Sequence, residues 1–110
     1  MPVKNSTQFV TVAELANALQ TSKTSIYLRI REKVIKVSHL KGVKKYLNAA
    51  HSRIRYLAAE KARAQEAYSL SQIAKLLDRV DADAMTDAAL KSGEKEQSVV
   101  DHLVSKILAL

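Results

Sequence analysis

The 110-residue chain is predicted to be mostly α. It reads as an N-terminal helix, tight turn and second helix with at most a short wing, then a long central helix and a helical C-terminal half. Three observations predict this. Two glycines and one proline leave little material for hairpins, and Ala, Leu, Lys, Glu and Gln favour helices. Two capping boxes, Thr11–Glu14 and Ser69–Gln72, mark helix starts. Apolar residues recur at helical spacing along most of the chain. Hydrophobic residues make up 47% and aromatics only 5%, so the core is expected to be aliphatic.

Residues 1–8 are polar and read as a tail. Thr11 is the expected N-cap of a helix over Val12–Leu19, with Val12, Leu15, Ala16 and Leu19 on one face. Gln20 to Ser22 is the turn. Ser22 caps a second helix over Lys23–Lys33, with Ile26 and Ile30 on its inner side. Val34–Val37 is β-branched and short, and reads as a strand or the edge of a small wing. Ser38 is expected to cap a third helix starting near His39, with Gly42 as a weak point inside it.

From Val43 a heptad-like stripe begins: Val43, Leu47, Ala50, Ile54, Leu57, Lys61, Ala64 and Tyr68. A helix over this span would be roughly 39 Å long. So narrow an apolar stripe needs a partner, and pairing between chains is favoured over packing within one. Ser69 starts the next helix, with Ile73, Leu76, Leu77 and Val80 on one face. Asp81–Asp83 starts another, which Ser92–Gly93 stops near Lys91. The last helix, about Lys95 to Leu108, carries a wide apolar face of Val99, Val100, Leu103, Val104, Ile107 and Leu108. The expected division is a head over 1–42, a linking and dimerisation helix over 43–68, and an oligomerisation or partner-binding region over 69–110. Leu47, Ile54, Leu57, Tyr68, Val100, Leu103, Val104 and Ile107 are the expected dimer contacts.

The charge is uneven. Residues 1–63 hold thirteen Lys/Arg against three acids, and residues 64–110 hold five against eight, within a net +7. A basic half of this kind suits a polyanion. No cysteine provides a disulfide or thiolate site. No run approaches ~18 apolar residues, so a soluble, cytoplasmic, nucleoid-associated protein with no membrane partner is expected. His39, His51 and His102 are scattered, with no metal or catalytic spacing and no Gly-rich phosphate loop. No enzyme activity, cofactor or metal is expected.

Thr11 to Val37, TVAELANALQTSKTSIYLRIREKVIKV, meets the needs of a DNA-reading helix-turn-helix. Ala16 is small where two helices would cross, Leu15, Leu19 and Ile26 can lock them, and Ser22, Lys23, Thr24 and Ser25 open the second helix with short polar groups. The stretch resembles the head of MerR-type regulators and phage excisionase-like proteins, through Thr11, Glu14, Leu15, Ala16, Leu19, Ser22, Ile26, Tyr27, Arg31, Glu32 and Ile35. The resemblance covers about 27 of the 110 residues. It departs at Gln20 and Lys33, where such families carry glycine, so Gln20 must bear an unfavourable backbone angle or reshape the turn. Residues 37–42 are too short for a full wing hairpin.

The expected function is sequence-specific binding of double-stranded DNA by a homodimer or higher homo-oligomer, as a transcriptional regulator or mobile-element accessory factor. Lys23, Thr24, Ser25 and Tyr27, with Ser22, are the groove candidates. Arg29, Arg31, Lys33 and Lys36 are candidates for phosphate or groove contact, and Lys41, Lys44 and Lys45 for the neighbouring backbone. The alternative is an oligomeric protein-interaction adaptor, or a packaging protein similar to phage small terminases, with a protein partner on its C-terminal helices.

Overall fold

The computed structural model describes residues 8–65 and 68–110. The tail expected over residues 1–8 lies outside them except for Gln8. In chain order the elements are β1 (Phe9–Thr11), α1 (Val12–Ala18), α2 (Lys23–Arg31), β2 (Val37–Lys41), β3 (Lys44–Asn48), α3 (Ala49–Arg63), α4 (Leu70–Arg79), α5 (Ala82–Lys91) and α6 (Glu96–Leu108). The protein is mostly helical, with a small antiparallel sheet in the order β1–β3–β2. Among the described residues, no helix is long and apolar enough to cross a membrane.

Both capping boxes form. The Thr11 hydroxyl accepts from the Glu14 amide at 3.2 Å, and the Glu14 carboxylate accepts from the Thr11 amide at 2.8 Å. Ser69 and Gln72 repeat the exchange at the start of α4. Ser22 caps α2 by accepting from the Ser25 amide.

The turn between α1 and α2 explains how a glycine-free link closes. Gln20 adopts φ 55°, the left-handed region that favours glycine. Its amide bonds to the Asn17 carbonyl and the Thr21 amide to Ala16, which is the paired closure of a Schellman motif. Lys33 does the same after α2, with φ 72° and amide bonds from Lys33 to Ile30 and from Val34 to Arg29. Gly93 closes α5 with the same pair of bonds at no steric cost. Glycine occupies one of these three closures. The other two hold strained side chains, a cost of roughly 1–2 kcal/mol each.

The structure corrects the reading of residues 38–48. No helix starts near His39. Val37–Lys41 and Lys44–Asn48 form a β-hairpin around Gly42 and Val43, with Lys41 opposite Lys44 and a bulge between Val37 and His39. Gly42 has φ 64° at the first central position of a two-residue turn, where glycine suits the twist of the flanking strands. Val10 and Leu47 face each other on the inner side of the sheet.

The long helix is also shorter than expected. It begins at Ala49, capped by Asn48, whose side chain accepts from the His51 amide at 2.9 Å, and ends at Arg63. Residues 66 and 67 of the expected span lie outside the described ones. The stripe does not wait for a second chain. Ala58, Ala59 and Ala62 are fully buried, and their small side chains let α6 come close. The wide face of α6 supplies Val99, Val100, Leu103, Val104 and Ile107 to the same core. The narrow stripe and the wide face, each lacking a partner in the sequence, cover one another. Leu47, Ile54, Val100, Leu103, Val104 and Ile107 are therefore core residues of one chain, and Leu57 and Tyr68 are partly buried against that core. Residues expected at a contact between chains thus pack within one chain.

One hydrophobic cluster runs from Val12 to Ile107. The radius of gyration is 13.2 Å, about what a single domain of this length has. The basic and acidic halves form one body.

Candidate nucleic-acid interface

The body uses the charges of its two halves unequally. Toward the C-terminal helices, α3 presents a row of bases that meet acids. Arg55 is the hub: Nε donates to the Val34 carbonyl at 2.8 Å, one terminal nitrogen donates to Asp78 at 2.6 Å, and the other lies 3.5 Å from Asp83. Its side chain is almost wholly buried, so these partners offset its desolvation. His51 Nε2 lies 2.7 Å from Asp87. Arg53 pairs with Glu96 and also donates to the Ala18 carbonyl at 3.1 Å, tying the end of α1 to α6. Lys61 pairs with Asp101. The ammonium donating to Asp101 holds that carboxyl below its ordinary range, helped by the Gln97 amide and the Lys61 charge against slight desolvation. Asp78, Asp83, Asp87, Glu96 and Asp101 of the C-terminal half thus each meet a basic residue of α3.

The other side is left basic. A helix repeats every 3.6 residues, so Lys23, Thr24, Tyr27, Leu28 and Arg31 spread over about 140° of α2. All five are exposed, while Ile26 and Arg29 point inward. Beside this face the hairpin projects Lys41, Lys44 and Lys45. The start of α1, the first half of α2 and the hairpin tip enclose an open cleft of about 320 Å³. Lys23, Tyr27, Val43, Lys44 and Lys45 line it, together with Thr11, Val12 and Ala13. The Lys45 ammonium sits 5.7 Å from the centre of the Tyr27 ring, a cation–π distance. No ion pair engages Lys23, Arg31, Lys33, Lys41, Lys44 or Lys45 among the described residues. Three lysines and no carboxylate line the cleft, which makes it a place where an anion is stabilised.

The expected residues thus divide. Lys23, Thr24, Tyr27 and Arg31 share the outer face of α2, and Lys44 and Lys45 join Lys23 at the cleft. Lys41 sits at the hairpin end. Ser22 spends its hydroxyl on the helix cap and on Ser25 Oγ at 3.3 Å, and Ser25 is half-buried. Lys33 is exposed at the far end of α2.

Arg29 and Lys36 stand apart from this face. Arg29 is 5% exposed, pairs with Glu60 and lies 5.4 Å from the Tyr56 ring centre. It staples α2 to α3 and is not open to a ligand. Lys36 turns to Asp78 at 3.0 Å. Tyr56 also touches the turn, its hydroxyl 3.4 Å from Thr21 Oγ1.

Val43, the first residue of the heptad-like stripe, is not on a helix. It stands at the hairpin tip, 97% exposed. Gly42 was its signal: a glycine followed by a residue free of packing is what a two-residue turn requires.

The histidines have unrelated settings. His39 stacks on Tyr46 at 5.0 Å and meets the edge of Phe9 at 5.3 Å, His51 joins the α3–α5 pairs, and His102 is exposed on α6. No family model matches the chain, and no curated protein or solved structure matches it either.

Proposed function

We propose that the protein binds double-stranded DNA through a winged helix-turn-helix. In this reading α1 and α2 form the motif, α2 enters the major groove, and the β2–β3 hairpin is the wing. The observation that carries it is the cleft where Lys23, Lys44 and Lys45 meet unpaired beside the exposed face of α2. Phosphate contacts position such a helix, and its outward side chains read bases. Thr24 and Tyr27 are suited to base edges or nearby sugar, and Leu28 to a thymine methyl. Lys23, Arg31, Lys44 and Lys45 are suited to phosphate.

The likeness of Thr11 to Val37 to MerR-type and excisionase-like heads supports the same reading. It also suggests a role as a small transcriptional regulator or mobile-element accessory factor. Gln20 and Lys33 depart from that pattern in residue type, yet both take the backbone angle that glycine would take.

Titration of labelled duplex by fluorescence anisotropy at rising salt tests the proposal. Neutralising four to six phosphates predicts a log–log slope of about −4 to −5. Binding to duplex should exceed binding to single strands of the same sequence. Absence of salt-sensitive binding to any duplex in a random pool contradicts it.

A further inference from the structure

A second basic cleft lies at the other end of α2. Arg31, Glu32 and Lys33 face Ser71, Ala74, Lys75 and Asp78 of α4 across an open space of about 220 Å³. Two polar ties fix α4 there. Ser71 Oγ donates to Glu32 at 3.0 Å, and Asp78 accepts from Lys36 at 3.0 Å and from Arg55 at 2.6 Å. The ties also decide the sign of the cleft. Asp78 already has two cationic partners and Glu32 has a hydroxyl donor. Arg31, Lys33 and Lys75 have no carboxylate partner among the described residues.

We infer that this cleft is a second phosphate site, and that α4 takes part in the grip on DNA through Lys75. The inference rests on the duplex-binding reading of α2 and extends it to the far bank of the groove. From Lys23 to Arg31 is eight residues, or about 12 Å along the helix axis. The major groove of B-DNA is about 12 Å wide. A helix of this length lying across the groove brings its two ends near the two phosphate backbones. Lys23, Lys44 and Lys45 meet one backbone, and Arg31, Lys33 and Lys75 meet the other.

A helix C-terminus by itself disfavours an anion, because it carries about half a negative charge. Three full cations outweigh that half charge and the hydrogen-bonded Glu32 together. This gives the strained closure after α2 a use: the left-handed Lys33 holds a charged side chain at the cleft, where glycine would hold none.

The C-terminal half then has two roles. Its acids neutralise α3, and its α4 lends a cation to the face that α3 leaves bare. A lone lysine inside an acidic half has no local pattern to mark it. Its place opposite Arg31 and Lys33 emerges only when α4 folds back.

The test compares full-length wild type with Lys75→Ala, Lys33→Ala/Lys75→Ala and Lys91→Ala, the last an exposed cation on α5. Each is titrated on labelled duplex over a salt series, with a thermal melt to verify folding. Lys75→Ala is expected to weaken binding about three- to tenfold on all duplexes and to reduce the salt slope by about 1. The double variant is expected to reduce the slope by about 2, and Lys91→Ala to match wild type. Salt-sensitive binding by wild type that Lys75→Ala leaves unchanged in slope and affinity overturns the second site while the reading of α2 stands. No binding by wild type overturns that reading, and this inference with it.

Discussion

The two sides of α3 and its neighbours treat the same residue types in opposite ways. On the side facing α4, α5 and α6, basic residues are paired and apolar residues are covered. Arg53, Arg55 and Lys61 each meet an acid, and Ile54, Ala58 and Ala62 meet the helices that fold back. On the side formed by α2 and the hairpin, Lys23, Arg31, Lys44 and Lys45 meet no acid, and Leu28 and Val43 stay in water. The lesson concerns charge counting. A net +10 over the first 63 residues does not mean that thirteen cations await a polyanion. Several are spent on holding the second half, and those left over make up the unpaired basic face of α2 and the hairpin.

If the covered side is built for stability and the bare side for contact, core truncation and charge removal should separate cleanly. The largest effect is expected from Leu103→Ala, at a fully buried α6 residue. It should cost about 2–5 kcal/mol by denaturant titration, with the cost independent of protein concentration because the contact lies within one chain. A concentration-dependent loss would place Leu103 in an interface between chains.

A smaller effect of opposite sign is expected at the α1–α2 turn. Gln20→Gly relieves the left-handed strain, partly offset by the greater freedom of glycine when unfolded. It should stabilise by about 0.5–1 kcal/mol. The melting temperature checks it, and Gly93 is the internal reference, since it makes the same closure without a side chain.

The smallest effect is expected at Asp101, an exposed carboxylate paired with Lys61. Its folded pKa lies below the ordinary value of 3.8, so ionised Asp101 favours the fold above that value. The contribution fades as the pH falls through the lowered folded pKa. Asp101→Asn should therefore lower the melting temperature slightly at neutral pH. The difference from wild type should shrink at acid pH and vanish well below 3.8.

How much of this was legible follows from where the information lies. Caps are local. Thr11 with Glu14 and Ser69 with Gln72 sit three residues apart, and both boxes form where the pattern placed them. The strain at Gln20 was legible too, because a Schellman closure demands a left-handed residue whatever its side chain. The hairpin is hidden in the sequence because two patterns coincide. Val43 and Leu47 are four apart, as in a helix, yet one is the tip of a turn and the other an inward strand residue. Gly42 is the deciding residue: at φ 64° it opens a two-residue turn and does not weaken a helix.

The fates of Arg29 and Arg55 were not legible. Their partners Glu60 and Asp78 lie 31 and 23 residues away, and no local spacing distinguishes a cation that will be buried from one that will stay free. The stripe of α3 was recognised as needing a partner. Which partner depended on the long-range return of α6.

The measurement that bears most directly on the account sets one side of the molecule against the other in a single binding assay. Lys44→Glu/Lys45→Glu changes the hairpin, and Lys91→Glu/Lys106→Glu makes the same charge change on α5 and α6. Both are titrated against one labelled duplex across a salt series, beside wild type. The hairpin pair is expected to lose affinity about tenfold or more, with a slope shallower by about 2, and the helix pair to stay close to wild type. Equal losses for the two pairs, or a larger one for the helix pair, would contradict it, since DNA would then be answering to net charge rather than to the face that α2 and the hairpin build.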